Sequence, residues 1–227
     1  MNQLDEGIIR YSLFSKWRQN KQEAMKRYFP DDESQRSNIS TKWMAAGTMI
    51  AEALEQRPLP WWLSDIVPAD ISEYRIIEDL EGVKMRGTLD KFFEGTKTIV
   101  DNKSLKRKMT RKEEDTLLKK SIFLLSDFTS LKNNFVVKDV INYKEQLCFY
   151  QVLVQQRHGS VDPTSWIEII PVFEDLNGLI RRTGEGPIQI PIIITQTERD
   201  AMRAEMIRVG KEIIAVYEGY KRGEVRF

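Results

Sequence analysis

One cysteine in 227 residues leaves this chain without an internal disulfide, and Cys148 alone cannot build a cysteine-ligated metal site. No apolar run approaches the ~20 residues needed to cross a bilayer. The opening MNQLDEGIIRYS lacks the basic-then-apolar pattern of a secretory leader, so a cytoplasmic protein is the expectation. Charge of one sign is missing too: 35 Lys and Arg stand against 34 Asp and Glu. A polyanion therefore meets no strong field from the whole molecule, and any nucleic-acid contact must come from local clustering. The one histidine, His158, falls at a predicted helix end beside Gly159, a capping or surface position rather than a ligand. There is no internal repeat and no low-complexity tract.

What is present suits an ordinary folded domain. With 41% hydrophobic residues the chain can bury a core of its own, and a single domain over residues 1–227 is expected. Helical spacing marks residues 9–29, with Ser12 or Ser15 as a cap, and residues 41–56. Strands are predicted over about 73–79, 83–93 and 97–103, joined as an antiparallel meander. A region at about 105–138 reads as an insert, with a helical patch around 113–126. Beyond it, Val140, Tyr143, Leu147, Tyr150 and Val154 recur every three or four residues, which predicts a helix over 139–157. Strands at 165–173 and 188–195 follow, and then a long helix that Thr195 and Glu198 can open with a capping box. This order predicts an α/β (α+β mixed) fold with one central mixed β-sheet flanked by helices.

The stretch MRGTLDKFFEGTKTIVDNKS, residues 85–104, carries charge where a plain hairpin would carry Thr or Val. Side chains alternate along a strand, so Asp101 and Lys103 share a face. The glycine in Glu94-Gly95-Thr96 suits a tight turn, and pairing about it brings Asp90 abreast of Asp101 to Lys103. Carboxylates on a rigid hairpin are hard oxygen ligands for Mg²⁺ or Mn²⁺, which take their remaining ligands from water and substrate phosphate. Asp90 and Asp101 are candidate metal ligands, and the backbone carbonyl of Asn102 is a third oxygen. Lys103 is placed to orient or deprotonate a water and to offset charge on a phosphorane-like transition state.

These residues resemble a known family. GTLD at 87–90, a turn, and DNKS at 101–104 reproduce the G-x-x-D, D-x-K pattern of the PD-(D/E)xK nuclease superfamily, which has a restriction-endonuclease-like core. QLCFY at 146–150 is similar to the Q-L-x-x-Y signature of RecB-type nucleases, including the CRISPR adaptation exonucleases, and it places Gln146 and Tyr150 on one helix face beside the site. AAGTMIAEALE at 45–55 resembles the family's first motif, G-x-x-x-H-x-x-L-E: Gly47, Leu54 and Glu55 match, while Ala51 stands where the family has a histidine that ligates metal in many members. Glu55 or its neighbour Glu52 is the substitute carboxylate. Without four cysteines, the iron–sulfur cluster of some relatives is excluded.

The resemblance implies a Mg²⁺- or Mn²⁺-dependent deoxyribonuclease, an exonuclease on DNA ends in recombination, repair or phage DNA processing. Its partners would be DNA and, since the chain has no helicase motif, a separate helicase or recombination protein. Lys106, Arg107, Lys108, Arg111 and Lys112 form a basic run leaving the catalytic strand, suited to phosphates. Arg18, Lys21, Lys26 and Arg27 would extend it, with Trp17, Trp61 and Trp62 as stacking surfaces for unpaired bases. Two other readings share these residues: a structure-specific endonuclease, and an inactive DNA-binding or assembly protein that keeps the fold. No oligomeric state follows from the residues.

Overall fold

The computed structural model describes residues 3–30, 49, 52–56, 58–105, 135–174, 180–182 and 186–226. The segment expected to be one helix over 9–29 is a strand and two helices. Strand β1 (Ile8–Arg10) keeps the backbone extended, so helix α1 (Tyr11–Gln19) starts after Arg10 with no side-chain cap. Asn20 then breaks the helix, and its side chain accepts the Glu23 N–H to open α2 (Lys21–Tyr28).

The meander is present as predicted and longer: β2 (Ile71–Leu80), β3 (Val83–Phe93) and β4 (Thr98–Leu105). Helix α3 (Phe135–His158) follows, and it ends at Gly159, which takes φ +74 and returns its N–H to the Gln155 carbonyl. Then come β5 (Thr164–Glu174), the short β6 (Ile180–Arg182), β7 (Ile188–Ile193) and helix α4 (Gln196–Lys221). Thr195 and Glu198 form the expected capping box of α4. Most of the insert at 105–138, including the helical patch at 113–126, lies outside the described residues.

The described strands form one seven-stranded mixed sheet flanked by helices, an α/β fold. Strand β2 pairs antiparallel along one edge of β3 from Val83 to Phe92. Two strands share the other edge. Strand β1 runs parallel beside Lys84–Arg86, and β4 runs antiparallel beside Lys91–Phe93 before it turns to pair in parallel with β5. Residues 87–90 of β3 have no strand partner on that edge among the described residues. This notch positions the site.

One face of the sheet carries the main core, in which α1, α3 and α4 bury Phe14, Trp17, Phe149, Leu153, Met206 and Ile213 against Met85, Leu89, Phe92 and Ile99. Contact is closest at Gly210 of α4, where an added Cβ would stand 2.3 Å from Val83 Cγ1 and 2.9 Å from Met85 Cε. Alanine is favoured over glycine in a helix by about 1 kcal/mol. The clash outweighs that gain, so Gly210→Ala should destabilise the fold by about 1–3 kcal/mol, read as a lower urea midpoint at unchanged slope. On the opposite face a second cluster joins Ala53, Leu54, Leu63 and Ile66 to Ile170.

Candidate active site

The site is built around a break in the strand alternation. Gly87 faces α3, since a Cβ there would touch Tyr150 and Leu153 at 3.0 and 3.1 Å. Phe92 faces the same helix, stacked between Tyr74 and His158 with ring centroids 4.9 and 5.5 Å away. Gly87 and Phe92 are an odd number of residues apart, so the two-residue period is reset between them. Strand β2 is irregular at the facing position, where Glu73 takes the left-handed φ of 49. Asp90 sits at this reset. Its carboxylate turns along the sheet toward β4 and accepts the Asn102 N–H at 2.7 Å, satisfying a backbone donor that no β3 carbonyl reaches.

Continuing the Lys91–Val100 register by one residue sets Asp90 opposite Asp101. Asp101 is 2% exposed, and its Oδ2 lies 2.6 Å from Lys103 Nζ on the same strand face. The Lys103 ammonium also stands 4.9 Å from the centre of the Tyr143 ring of α3. Two carboxylates and one ammonium therefore converge, as the hairpin pattern predicts. Burial is the largest influence on Asp90, and the Asp101 charge adds to it; against the lesser pull of Lys103 and the Asn102 N–H, its pKa is pushed up to about 7. Burial works against charge on Lys103 as well, but the Asp101 carboxylate outweighs it and holds the pKa above the ordinary lysine value.

Helix α3 covers this arrangement. Gln146 Nε2 donates to the Tyr150 hydroxyl at 2.9 Å, so the pair joins as one unit. The Tyr150 ring rests where a side chain at position 87 would stand, which accounts for the glycine of GTLD. Burial raises the Tyr150 pKa, and the Asp101 and Asp90 charges add to the effect, so its hydroxyl stays protonated as a donor. Tyr11, the residue after β1, closes the other side with its ring 6.2 Å from Tyr150; burial is likewise the main cause of its raised pKa.

No protein-family model matches the chain, and no curated protein matches it. Among solved structures it is similar to a candidate exonuclease from Eubacterium rectale, at 16% identity and TM-score 0.37 over 94% of this chain and 66% of that one, just under two thirds of its length. It is also similar to a phage-related exonuclease from Haemophilus somnus, at 12% identity and TM-score 0.44 over 78% of this chain and 73% of the other.

The remaining predicted positions divide. Glu55 is exposed on the helical residues 52–55, and the charge it meets is that of Glu73. Glu73 in turn acts on Asp90, so a chain of carboxylates runs from Glu55 to the notch. Among the described residues no three of His, Cys, Asp or Glu stand close enough together to hold a metal, so Asp90 and Asp101 form a pair rather than part of a larger set. The Asn102 side chain lies on the opposite face, in register with Glu168, which leaves only its backbone beside Asp90. Gly47 and Ala51 of the first motif lie outside the described residues, as do Lys106, Arg107, Lys108, Arg111 and Lys112.

Trp17 is a core residue, 2% exposed and stacked on Phe29, so it offers no surface to a base. Arg18 is paired with Glu145 and Lys21 with Glu212. Trp61 is 86% exposed. His158 bonds the Tyr74 hydroxyl at 3.3 Å, a packing role at the helix end. Cys148 is buried, and its thiol is pushed up to about 12 chiefly by that burial. Sequence reasoning missed Glu73, whose left-handed backbone leaves no trace in ISEYRIIEDL, and Tyr11, which approaches the site only because β1 pairs with β3.

Behind the notch, Lys91 and Glu168 form an ion pair at 2.5 Å with side chains 4% and 1% exposed. Lys91 also donates to the Val67 carbonyl, and Gln189 donates to Glu168. The pair ties β3 to β5 across β4 and holds the hairpin where Asp90 meets Asp101.

Proposed function

We propose that the chain is a metal-dependent DNA nuclease of the PD-(D/E)xK type, acting as an exonuclease on DNA ends. The observation that carries the reading is the notch itself, where Asp90 and Asp101 face each other across the point at which β3 and β4 part, with Lys103 against Asp101. The buried Asp101 and the half-buried Asp90 share one ammonium, which leaves a deficit of positive charge; burial first and the Asp101 charge second raise the pKa of Asp90. A divalent ion fits that deficit and that oxygen chemistry. Asp90 and Asp101 would hold Mg²⁺ or Mn²⁺, with the Asn102 carbonyl, which leaves the strand by the same edge as its N–H, as a further oxygen. Glu55 would reach the site through Glu73 as an outer carboxylate. When bound, the ion would polarise a phosphoryl oxygen and lower the pKa of a water.

The chain's own residues set the rest. Lys103 stays protonated, so it acts as a fixed charge that stabilises the phosphorane-like oxygens and not as the base. Asp101 holds that ammonium in place. Gln146 and Tyr150 are positioning residues: the amide fixes the hydroxyl, which burial and the Asp101 and Asp90 charges keep protonated. Gln146→Ala should lower the cleavage rate about 10–100-fold with little change in stability, the size usual for groups that orient ligands, and single-turnover kinetics would measure it. The exonuclease reading is tested on closed circular single-stranded DNA beside the same strand linearised. Loss of the linear form alone supports an exonuclease, whereas cutting of the circle makes the enzyme an endonuclease.

A further inference from the structure

Among the described residues, the sheet face turned away from α3 is open along β1, β2 and β3. Among these residues it presents the exposed Arg10, Arg75 and Lys84 and the half-buried Arg86, with Ile77 exposed between them, Asp79 as the carboxylate in their midst and Glu73, on which the Arg75 charge acts, at one end. The register brings these side chains together: Arg86 lies between Arg10 on β1 and Ile77 on β2, and Lys84 lies opposite Asp79. Asp79 is itself engaged with the Gly82 N–H in the turn. At the far end, Arg75 is two residues along β2 from Glu73, and Arg86 is four residues along β3 from Asp90. That last interval is about 13 Å of strand, the span of about four phosphates at ~3.4 Å each.

We propose that this face binds the sugar-phosphate backbone of DNA leading to the notch, with Arg75 and Arg86 as phosphate contacts. The cations on this face outnumber the carboxylates of Asp79 and Glu73, which makes a local basic stripe on a chain whose total charge is only +1, and the stripe ends beside the candidate active site. The same charge argues against a second copy as the occupant, because twofold pairing of this face would set Arg86 near its own equivalent. The choice of DNA as the polyanion rests on the nuclease reading.

The test is equilibrium binding of the full chain to a labelled linear DNA duplex in EDTA, where cleavage does not intervene, across a series of KCl concentrations. The Arg75→Gln/Arg86→Gln double variant is compared with Lys211→Ala on α4, and glutamine keeps much of each stem in place. The expected result is that the slope of log K against log salt falls by about 2 in the double variant, with affinity at ~0.1 M salt down roughly tenfold, while Lys211→Ala matches the native chain. An unchanged slope, an equal fall in Lys211→Ala, or no binding by the native chain overturns the proposal. So does sedimentation showing a native dimer that the double variant dissociates. The two readings fail separately: a fallen slope in a chain that cuts DNA with neither Mg²⁺ nor Mn²⁺ keeps the track and sinks the nuclease, and an unchanged slope in a chain that cuts with either ion does the reverse.

Discussion

Lys103→Ala will slow phosphodiester cleavage about 10²–10³-fold, the loss expected when one preorganised charge facing a transition-state oxygen is removed. The same change leaves the Asp101 carboxylate, 2% exposed, without its ion-pair partner. Stability in EDTA should therefore fall, by less than the roughly 3–5 kcal/mol of a fully buried pair because Lys103 itself is 24% exposed. Divalent ions should move the other way. Removing an ammonium beside two carboxylates strengthens cation binding, so Mg²⁺ should raise the melting temperature of the variant by more than it raises that of the native chain. Weaker Mg²⁺ binding in the variant would show that Lys103 supports the ion instead of the reacting phosphate. Rate, metal affinity and melting temperature together separate a charge-stabilising lysine from one that only holds the strand.

Asp90→Asn will abolish metal-dependent cleavage and at the same time stabilise the metal-free protein. The native carboxyl titrates near 7 where an ordinary aspartate titrates at 3.8, with burial the chief cause and Asp101 the second. A raised acid pKa means that the folded state binds its proton more tightly than the unfolded chain does. The stability is thus fully present below about 4 and is lost as pH rises to about 7, a difference of at most about 4 kcal/mol. Asparagine carries no charge to bury and keeps an oxygen for the Asn102 N–H. In EDTA at pH 8 the variant should melt above the native protein, and near pH 4 the gap should close. With metal the order reverses, because Asp90 must lose its proton to ligate: native Mg²⁺ affinity and cleavage should fall about tenfold for each pH unit below about 7. Titration calorimetry and a pH–rate profile read both effects.

Much of this candidate site is legible in the sequence. The turn glycine and the run of β-forming residues place β3 and β4 to within two residues, and strand alternation puts Asp101 and Lys103 on one face. The three- and four-residue recurrence from Val140 to Val154 marks α3, although its first turn begins earlier, at Phe135. What could not be read is how Asp90 meets Asp101. Simple alternation from Gly87 would turn Asp90 away from α3, and only the reset between Leu89 and Phe92, matched by the left-handed Glu73 on β2, aims the carboxylate at Asn102. Three residues of β1 are too short a signal to announce a strand, yet they divide the edge of β3 and so make the notch. Asn20 illustrates the same point in reverse: a good capping residue inside an amphipathic run divides a helix that periodicity alone joins.

The arrangement also shows why the hairpin spends strand positions on charge. Lys91 and Glu168 face one side and Asp101 and Lys103 the other, so one ion pair braces the hairpin and the second stands in the notch. Gly87 yields its side-chain volume to Tyr150, which brings α3 down over the carboxylates and lets Gln146 fix the hydroxyl.

The most direct test of the notch as a nuclease centre is degradation of end-labelled linear single- and double-stranded DNA with Mg²⁺, Mn²⁺ or EDTA, comparing the native chain with Asp101→Asn. Cleavage that requires the divalent ion and disappears in the variant, while the variant's melting curve stays cooperative, is the predicted result. Cleavage that continues in EDTA, or at an undiminished rate in Asp101→Asn, would contradict it.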